Sequence, residues 1–201
     1  MSTAYRSRTA LAMEEAPRLA GMSQAAFARA LGTSASRFST YVTGDTVPNA
    51  ELYIRATSVA HAINACTASR TTYPWLAAVV IHDALKQSDE VWAWRALLQC
   101  RDHTELELQA GTRDSNPRLA AWDAAPPLTG NSGWDALLAE LVKHAFLEAG
   151  QDAPDWTYSR PLASRWQPEH PFMDPSRVVA RTPRWLAEAN IYVPERDLVT
   201  A

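Results

Sequence analysis

Between Met22 and Pro48 the chain reads MSQAAFARALGTSASRFSTYVTGDTVP, and few folds accommodate that spacing of caps, apolar residues and glycines. Ser23 stands where a helix N-cap belongs, because its hydroxyl can accept a bond from a backbone N–H in the first turn. Phe27, Ala28 and Leu31 would line one side of the helix that follows. Gly32 ends it, since glycine enters the left-handed region without steric cost. Ser34 is a second cap. Phe38, Tyr41 and Val42 supply the inward side of a second helix, which Gly44 closes. Pro48 and Asn49 punctuate the chain before a further helix. On the second helix Ser36, Ser39, Thr40 and Thr43 fall opposite Phe38, with Arg37 on the flank. Short, uncharged polar side chains suit a helix face that must lie close against another molecule.

The order S-Q-x-x-F-A-x-x-L-G-T-S-x-S-x-F-S-x-Y-x-x-G-x-x-x-P resembles the helix-turn-helix of Cro/C1-type (Xre-like) transcriptional regulators, over roughly residues 9–65. Ser23, Gln24, Ala28, Leu31, Gly32, Ser34, Ser39 and Gly44 carry most of the likeness. The resemblance implies that the second helix enters the DNA major groove with its amino-terminal residues towards base edges. On that basis Ser34, Ala35, Ser36, Arg37, Ser39 and Thr40 are the expected groove contacts. Arg37 would pair bidentately with guanine and Ala35 would touch a thymine methyl. Gln24 would contact the DNA backbone or buttress a base contact, and Thr43 would meet a phosphate. One residue departs from the pattern. Pro17 lies in what should be the first helix of the unit, where a missing donor and a bulky ring are expected to make that helix end early or start late.

Charge tempers the expectation of DNA binding. The net charge of −3 is uneven: residues 1–55 carry six basic against four acidic residues, residues 56–155 seven against thirteen, and residues 156–201 six against five. Affinity for DNA rests on cations neutralising phosphates, so only the first segment suits a DNA face, and its excess is small. The expected remedy is a homodimer reading two half-sites of a double-stranded operator. Arg6 and Arg8, within residues 1–10, belong either to a frayed terminus or to an arm reaching DNA backbone or minor groove.

With 201 residues, 47% of them hydrophobic, the chain has material for one or two cored domains and is not disordered as a whole. It holds no apolar run near the ~20 residues that span a membrane, and its amino terminus is polar. Cys66 and Cys100 stand apart, without a CxxC, so reduced thiols and a cytoplasmic location are expected. Residues 49–68 read as a helix with Leu52, Ile54, Val59 and Ile63 as its apolar positions. Beyond Tyr73-Pro74-Trp75, helices are predicted from Pro74 to Leu85 and from Ser88 to Leu108, the second capped by Ser88. Residues 111–130 are loop-rich with a short helix from Pro117 to Asp123, and Trp134 to Ala149 form a strongly amphipathic helix stopped by Gly150. The pairs His82–Asp83 and Asp102–His103 lack a third ligand at helical spacing and read as solvated or capping groups. There is no GxxxxGK[ST], HExxH, GxSxG or paired cysteine motif. No catalytic, cofactor-binding or metal-binding residue is therefore expected, and the chain reads as a non-enzyme.

From residue 151 onward the character changes. Seven prolines from Pro154 to Pro194 interrupt any long helix, and only 174–180 and 182–189 look helical. Tryptophans and arginines, the types enriched at binding hot spots, interleave here. Trp156, Arg160, Arg165, Trp166, Arg184 and Trp185 are the candidates for partner binding. Either this segment drapes over the helical core and buries its tryptophans at home, or it wraps a partner. Its W-x-x-x-RPL-x-x-RW-x-P-x-HPF-x-x-P and TP-x-WL-x-x-x-NI-x-VP-x-RDL sequences resemble a group of actinobacterial helix-turn-helix proteins encoded beside toxin-like genes, often of nucleotidyltransferase type. That likeness implies an antitoxin that represses its own operon and neutralises a toxin through its C-terminal region. The expected fold is all-α in three parts: a helix-turn-helix domain (1–70), a helical core or oligomerisation region (71–150), and a Pro/Trp/Arg-rich tail with little regular structure (151–201). The competing expectation is a protein-interaction module with a helix-turn-helix fold that no longer binds DNA.

Overall fold

In the computed structural model, which describes residues 7–168 and 175–198, every regular element of the described residues is helical. The single exception to helix and loop is an isolated parallel bridge between Trp166 and Ile191. The chain forms two compact units. One comprises residues 1–75 and 110–126, the other residues 76–109 and 127–201.

The first unit holds α1 (Arg8–Leu19), α2 (Gln24–Ala30), α3 (Ala35–Thr43) and α4 (Ala50–Ser69). Each helix starts on a side-chain cap: the oxygens of Ser7, Ser23, Ser34 and Asn49 accept from Ala10, Ala26, Arg37 and Leu52 N–H respectively. These bonds satisfy amides that a helix N-terminus would otherwise leave open, typically stabilising it by about 1 kcal/mol each. The core draws on Met13, Phe27, Leu31, Phe38, Tyr41, Val59 and Ile63, all buried. Phe27 and Phe38 meet edge to face, 5.8 Å between centroids. That contact joins α2 to α3. Pro17 does not shorten α1 as expected. It lies in the last turn, so only the bond to Met13 is forgone, and its own carbonyl accepts from Met22 N–H at 2.9 Å to close the helix end. Arg8 opens this helix and is not part of an arm, while Arg6 lies outside the described residues.

Residues 110–126 belong to this unit and not to a middle region. They carry a 3-10 helix, Pro117–Asp123, capped by Asn116 and packed on α4, with Leu119, Ala121 and Trp122 fully buried. Ile54, expected inside, is instead 61% exposed. The buried stripe of α4 runs through Ala56, Val59, Ala60, Ile63 and Cys66, which leaves Ile54 on the far side.

The second unit contains most of α5 (Pro74–Lys86), then α6 (Glu90–Ala110), α7 (Ser132–Glu148), α8 (Pro175–Ala180) and α9 (Arg184–Ala187). Short 3-10 turns at Asp155–Thr157 and Glu195–Leu198 complete it. Ser88 is not the cap of α6. Its φ of 55° is left-handed, which ends α5, whereas a cap residue must be extended; Asp89 caps α6 instead, accepting from Trp92 N–H at 2.9 Å. The described part of the tail is folded into this unit. Trp166 N–H donates to the Asn190 carbonyl, and Tyr192 N–H donates to the Trp166 carbonyl, both at 2.9 Å. The Asn190 amide also donates to the Leu162 carbonyl. The first helix expected in the tail is present as α8 from Pro175, residue 174 lying outside the described residues, whereas the second is shorter than expected: α9 spans four residues behind Pro183.

Candidate nucleic-acid interface

The turn between α2 and α3 is built from backbone closure at both ends. Gly32 adopts φ +71°, and Thr33 N–H reaches back to the Ala28 carbonyl at 2.9 Å. Two more distant groups then hold the end of α2. Arg55, from α4, donates to the Leu31 carbonyl at 2.6 Å, and Ala125 N–H donates to the Ala30 carbonyl at 2.9 Å. Carbonyls at a helix C-terminus have no partner within the helix, so these two bonds fix the direction in which the chain leaves α2. Neither residue stands out in the sequence as part of the motif. The available signal was Arg55 itself, a cation between the apolar positions Leu52 and Ala56, and the apolar spacing of Leu119 and Trp122.

Of the expected groove residues, Gln24, Ser34, Ala35, Ser36, Arg37 and Thr43 are exposed and Ser39 and Thr40 are half-buried. They share the start of α2 and the length of α3. Ser34 accepts from Arg37 N–H at 3.1 Å, and its hydroxyl lies 3.1 Å from that of Ser36. Arg37 Nε donates to the hydroxyl of the buried Tyr41 at 2.7 Å. A guanidinium held through Nε keeps both terminal amino groups for a planar, two-pronged acceptor. Thr40 donates inward, to the Arg37 carbonyl, at 2.8 Å. Thr43 fits a phosphate less well than expected. Its hydroxyl donates to the exposed Asp45 carboxylate at 2.6 Å, which sets a negative charge at that end of α3.

Cations near this face are sparse. Arg29 and Arg37 are exposed on α2 and α3, but Arg18 pairs with Glu14 at 2.7 Å and Arg55 points into the unit. Arg113, in the returning segment, pairs with Asp123 at 2.7 Å.

In the second unit the six tail candidates are placed individually. Trp166 rests edge to face against Trp134 of α7, 6.0 Å between centroids, and Trp134 in turn meets Trp94 of α6 at 5.8 Å. A Cβ on Gly133 would fall within the Trp166 ring, so only glycine permits this seat. Trp185 stacks on His144 of α7 at 4.1 Å and 10°. Trp156 is half-buried. Arg165 lies over the Tyr192 ring at 4.4 Å, and Arg184 pairs with Glu188 at 2.8 Å. Arg160, Arg165 and Arg184 are exposed.

Two buried ionisable groups elsewhere are shifted by desolvation. Burial pushes the Cys100 thiol up to about 12, against an opposing Thr104 hydrogen bond. Burial, with Cys66 nearby, raises the Tyr73 phenol to about 12 as well. Among the described residues no group of three or more His, Cys, Asp or Glu could hold a metal ion. No helix among them is long and apolar enough to cross a membrane. Comparison with family models, curated proteins and solved structures returned no match.

Proposed function

We propose that this chain is a sequence-specific DNA-binding repressor of the Cro/C1 (Xre-like) type, acting as a dimer with α3 in the major groove. The observation that carries the reading is Arg37. It is exposed at the start of a helix whose outer residues are short and polar, and its guanidinium is oriented by the buried Tyr41. That is the arrangement a bidentate guanine contact requires. In this reading two copies of α3 sit about 34 Å apart, one turn of DNA. The likeness of the tail to antitoxins adds a second role, neutralising a toxin, of which a nucleotidyltransferase-type enzyme is the favoured class.

Gel shifts on the DNA upstream of its own gene test the first role. Binding should weaken steeply with salt, and Arg37→Ala should cost about 1–3 kcal/mol of specific affinity. Absence of any shift at low salt sinks the reading.

One observation favours a second reading, an interaction module with this fold that does not bind DNA. The α3 face carries a single cation, and Asp45 occupies the hydroxyl expected to meet a phosphate. Under that reading charge reversal at the exposed Arg160 and Arg184 abolishes co-purification with a neighbour-encoded protein. Removing the tail would not be a clean test. Val178, Leu186, Ile191 and Val193 are all buried, so its loss would open the core.

A further inference from the structure

One face of α6 is unusual for a helix in a folded unit. Ala93, Ala96, Leu97, Cys100, Thr104 and Leu108 are buried, while the opposite stripe of Trp92, Arg95, Gln99 and Leu106 is exposed, with Asp102 partly so. Trp92 is 52% and Leu106 59% exposed. With 3.6 residues per turn these five positions fall within an arc of about 80°. Within its own chain Arg95 makes no ion pair among the described residues. Asp102 is shared with Arg101 at 3.3 Å, whose tighter bond is to Glu105 at 2.9 Å.

The stripe is self-complementary about Gln99. Trp92 and Leu106 lie equally far along the helix on either side of it. Arg95 precedes it by about 6 Å of helix rise and Asp102 follows it by about 4.5 Å, both on the same lateral edge of the stripe. We propose that α6 is the surface on which a second copy of this chain docks, antiparallel, with the two-fold axis passing beside Gln99. Each Trp92 then covers the Leu106 of its mate, and each Arg95 faces an Asp102 across the pair. A two-fold axis demands that mating residues share a lateral edge, and Arg95 and Asp102 meet that condition. Parallel pairing would set Arg95 against Arg95 and Asp102 against Asp102, which like-charge repulsion disfavours. A lone helix pair buries less than the standard interface of about 1,600 Å², so the dimer forms and dissociates over the micromolar range.

This pairing deepens the dimer of the proposed repressor and rests on that part of the reading alone. It is measured without DNA, so a chain that pairs through α6 yet ignores DNA sinks the repressor and leaves the pairing standing. The full chain bearing Gln99→Cys, treated with a short bis-maleimide, should yield covalent dimer. Arg95→Cys should not, because its two copies lie about 12 Å apart along the helices. The native Cys66 and Cys100 are buried and stay silent under these conditions. Sedimentation from about 1 to 100 µM should show the dimer growing with concentration. Arg95→Asp should weaken it at least about tenfold, and adding Asp102→Arg should restore it. Trp92→Ser should abolish it with an unchanged circular dichroism spectrum. A monomer at the highest concentration overturns the proposal. So does a dimer that survives Trp92→Ser while Gln99→Cys fails to cross-link.

Discussion

The α2–α3 face and the tail use opposite means to place their candidate residues. On α3 the outward side chains apart from Arg37 are small, and their positions come from nearby bonds: Ser34 to Arg37, Arg37 to Tyr41, Thr40 to a carbonyl one turn back. In the tail the side chains are large, and their positions come from distant packing: Trp166 in the notch at Gly133, Trp185 flat on His144. Local bonds leave a face free to meet something else. Aromatic packing spends the same side chains on the protein's own core. The difference separates a surface from a closure, although both segments look like binding regions when only residue types are considered.

Four substitutions or conditions can break that contrast. The largest effect belongs to Trp122→Ala. Trp122 is fully buried under α4, so the change should cost about 3–5 kcal/mol and unfold the α2–α3 unit, although it lies some eighty residues from α3. Thermal denaturation followed by circular dichroism would show it; an unchanged transition would detach residues 110–126 from that unit. Next is Gly133→Ala. Forcing a methyl into the Trp166 ring should cost about 1–3 kcal/mol and alter the near-ultraviolet spectrum, while leaving any DNA affinity unchanged. Ser34→Ala removes a cap and should cost about 1 kcal/mol, read as a shift in the urea midpoint.

The smallest effect at neutral pH comes from the buried thiol and phenol. Cys100 is raised from an ordinary value of 9.0 and Tyr73 from 10.0, each to about 12. Below about pH 8 both groups are protonated whether the chain is folded or not, and stability is flat. Above it the unfolded chain sheds protons that the folded chain holds, so stability falls as pH climbs towards 12. Cys100→Ala should flatten the first part of that alkaline decline in a pH series of urea melts. A decline of equal slope in the variant would assign it to other groups.

Legibility followed the range of the interactions. Ser23, Ser34, Gly32 and Gly44 act within one turn of themselves, and their roles as caps and stops could be read directly from the order of residues. Asn49 was equally plain in position, since it sits just before an apolar-periodic run. Ser88 misled because serine is a good cap by type, yet it occupies a left-handed backbone that closes α5, and the capping oxygen comes from Asp89. Long-range partners left almost no trace. That Arg55 reaches the Leu31 carbonyl, that Ala125 bonds to Ala30, and that a tryptophan more than thirty residues away requires a glycine at 133 depend on where the chain returns, which composition does not encode. The same limit applied to the tail: its prolines signalled broken helices correctly, but not the bonds that tie 162–166 to 189–192.

The return of residues 110–126 to α4 also sets a clock. A ribosome emits the chain from its amino end, so α1 to α4 are complete about fifty residues before the segment that covers α4. At 5–20 residues per second that interval is about 3–10 s, long compared with helix formation. Throughout it the side of α4 destined for Leu119 and Trp122 has no cover, and the Ala30 carbonyl at the end of α2 waits for Ala125. A nascent chain released at this stage would carry all four helices and still lack a settled α2–α3 face. The bonds and packing that fix the end of α2 are thus complete only after α5 and α6 have been made.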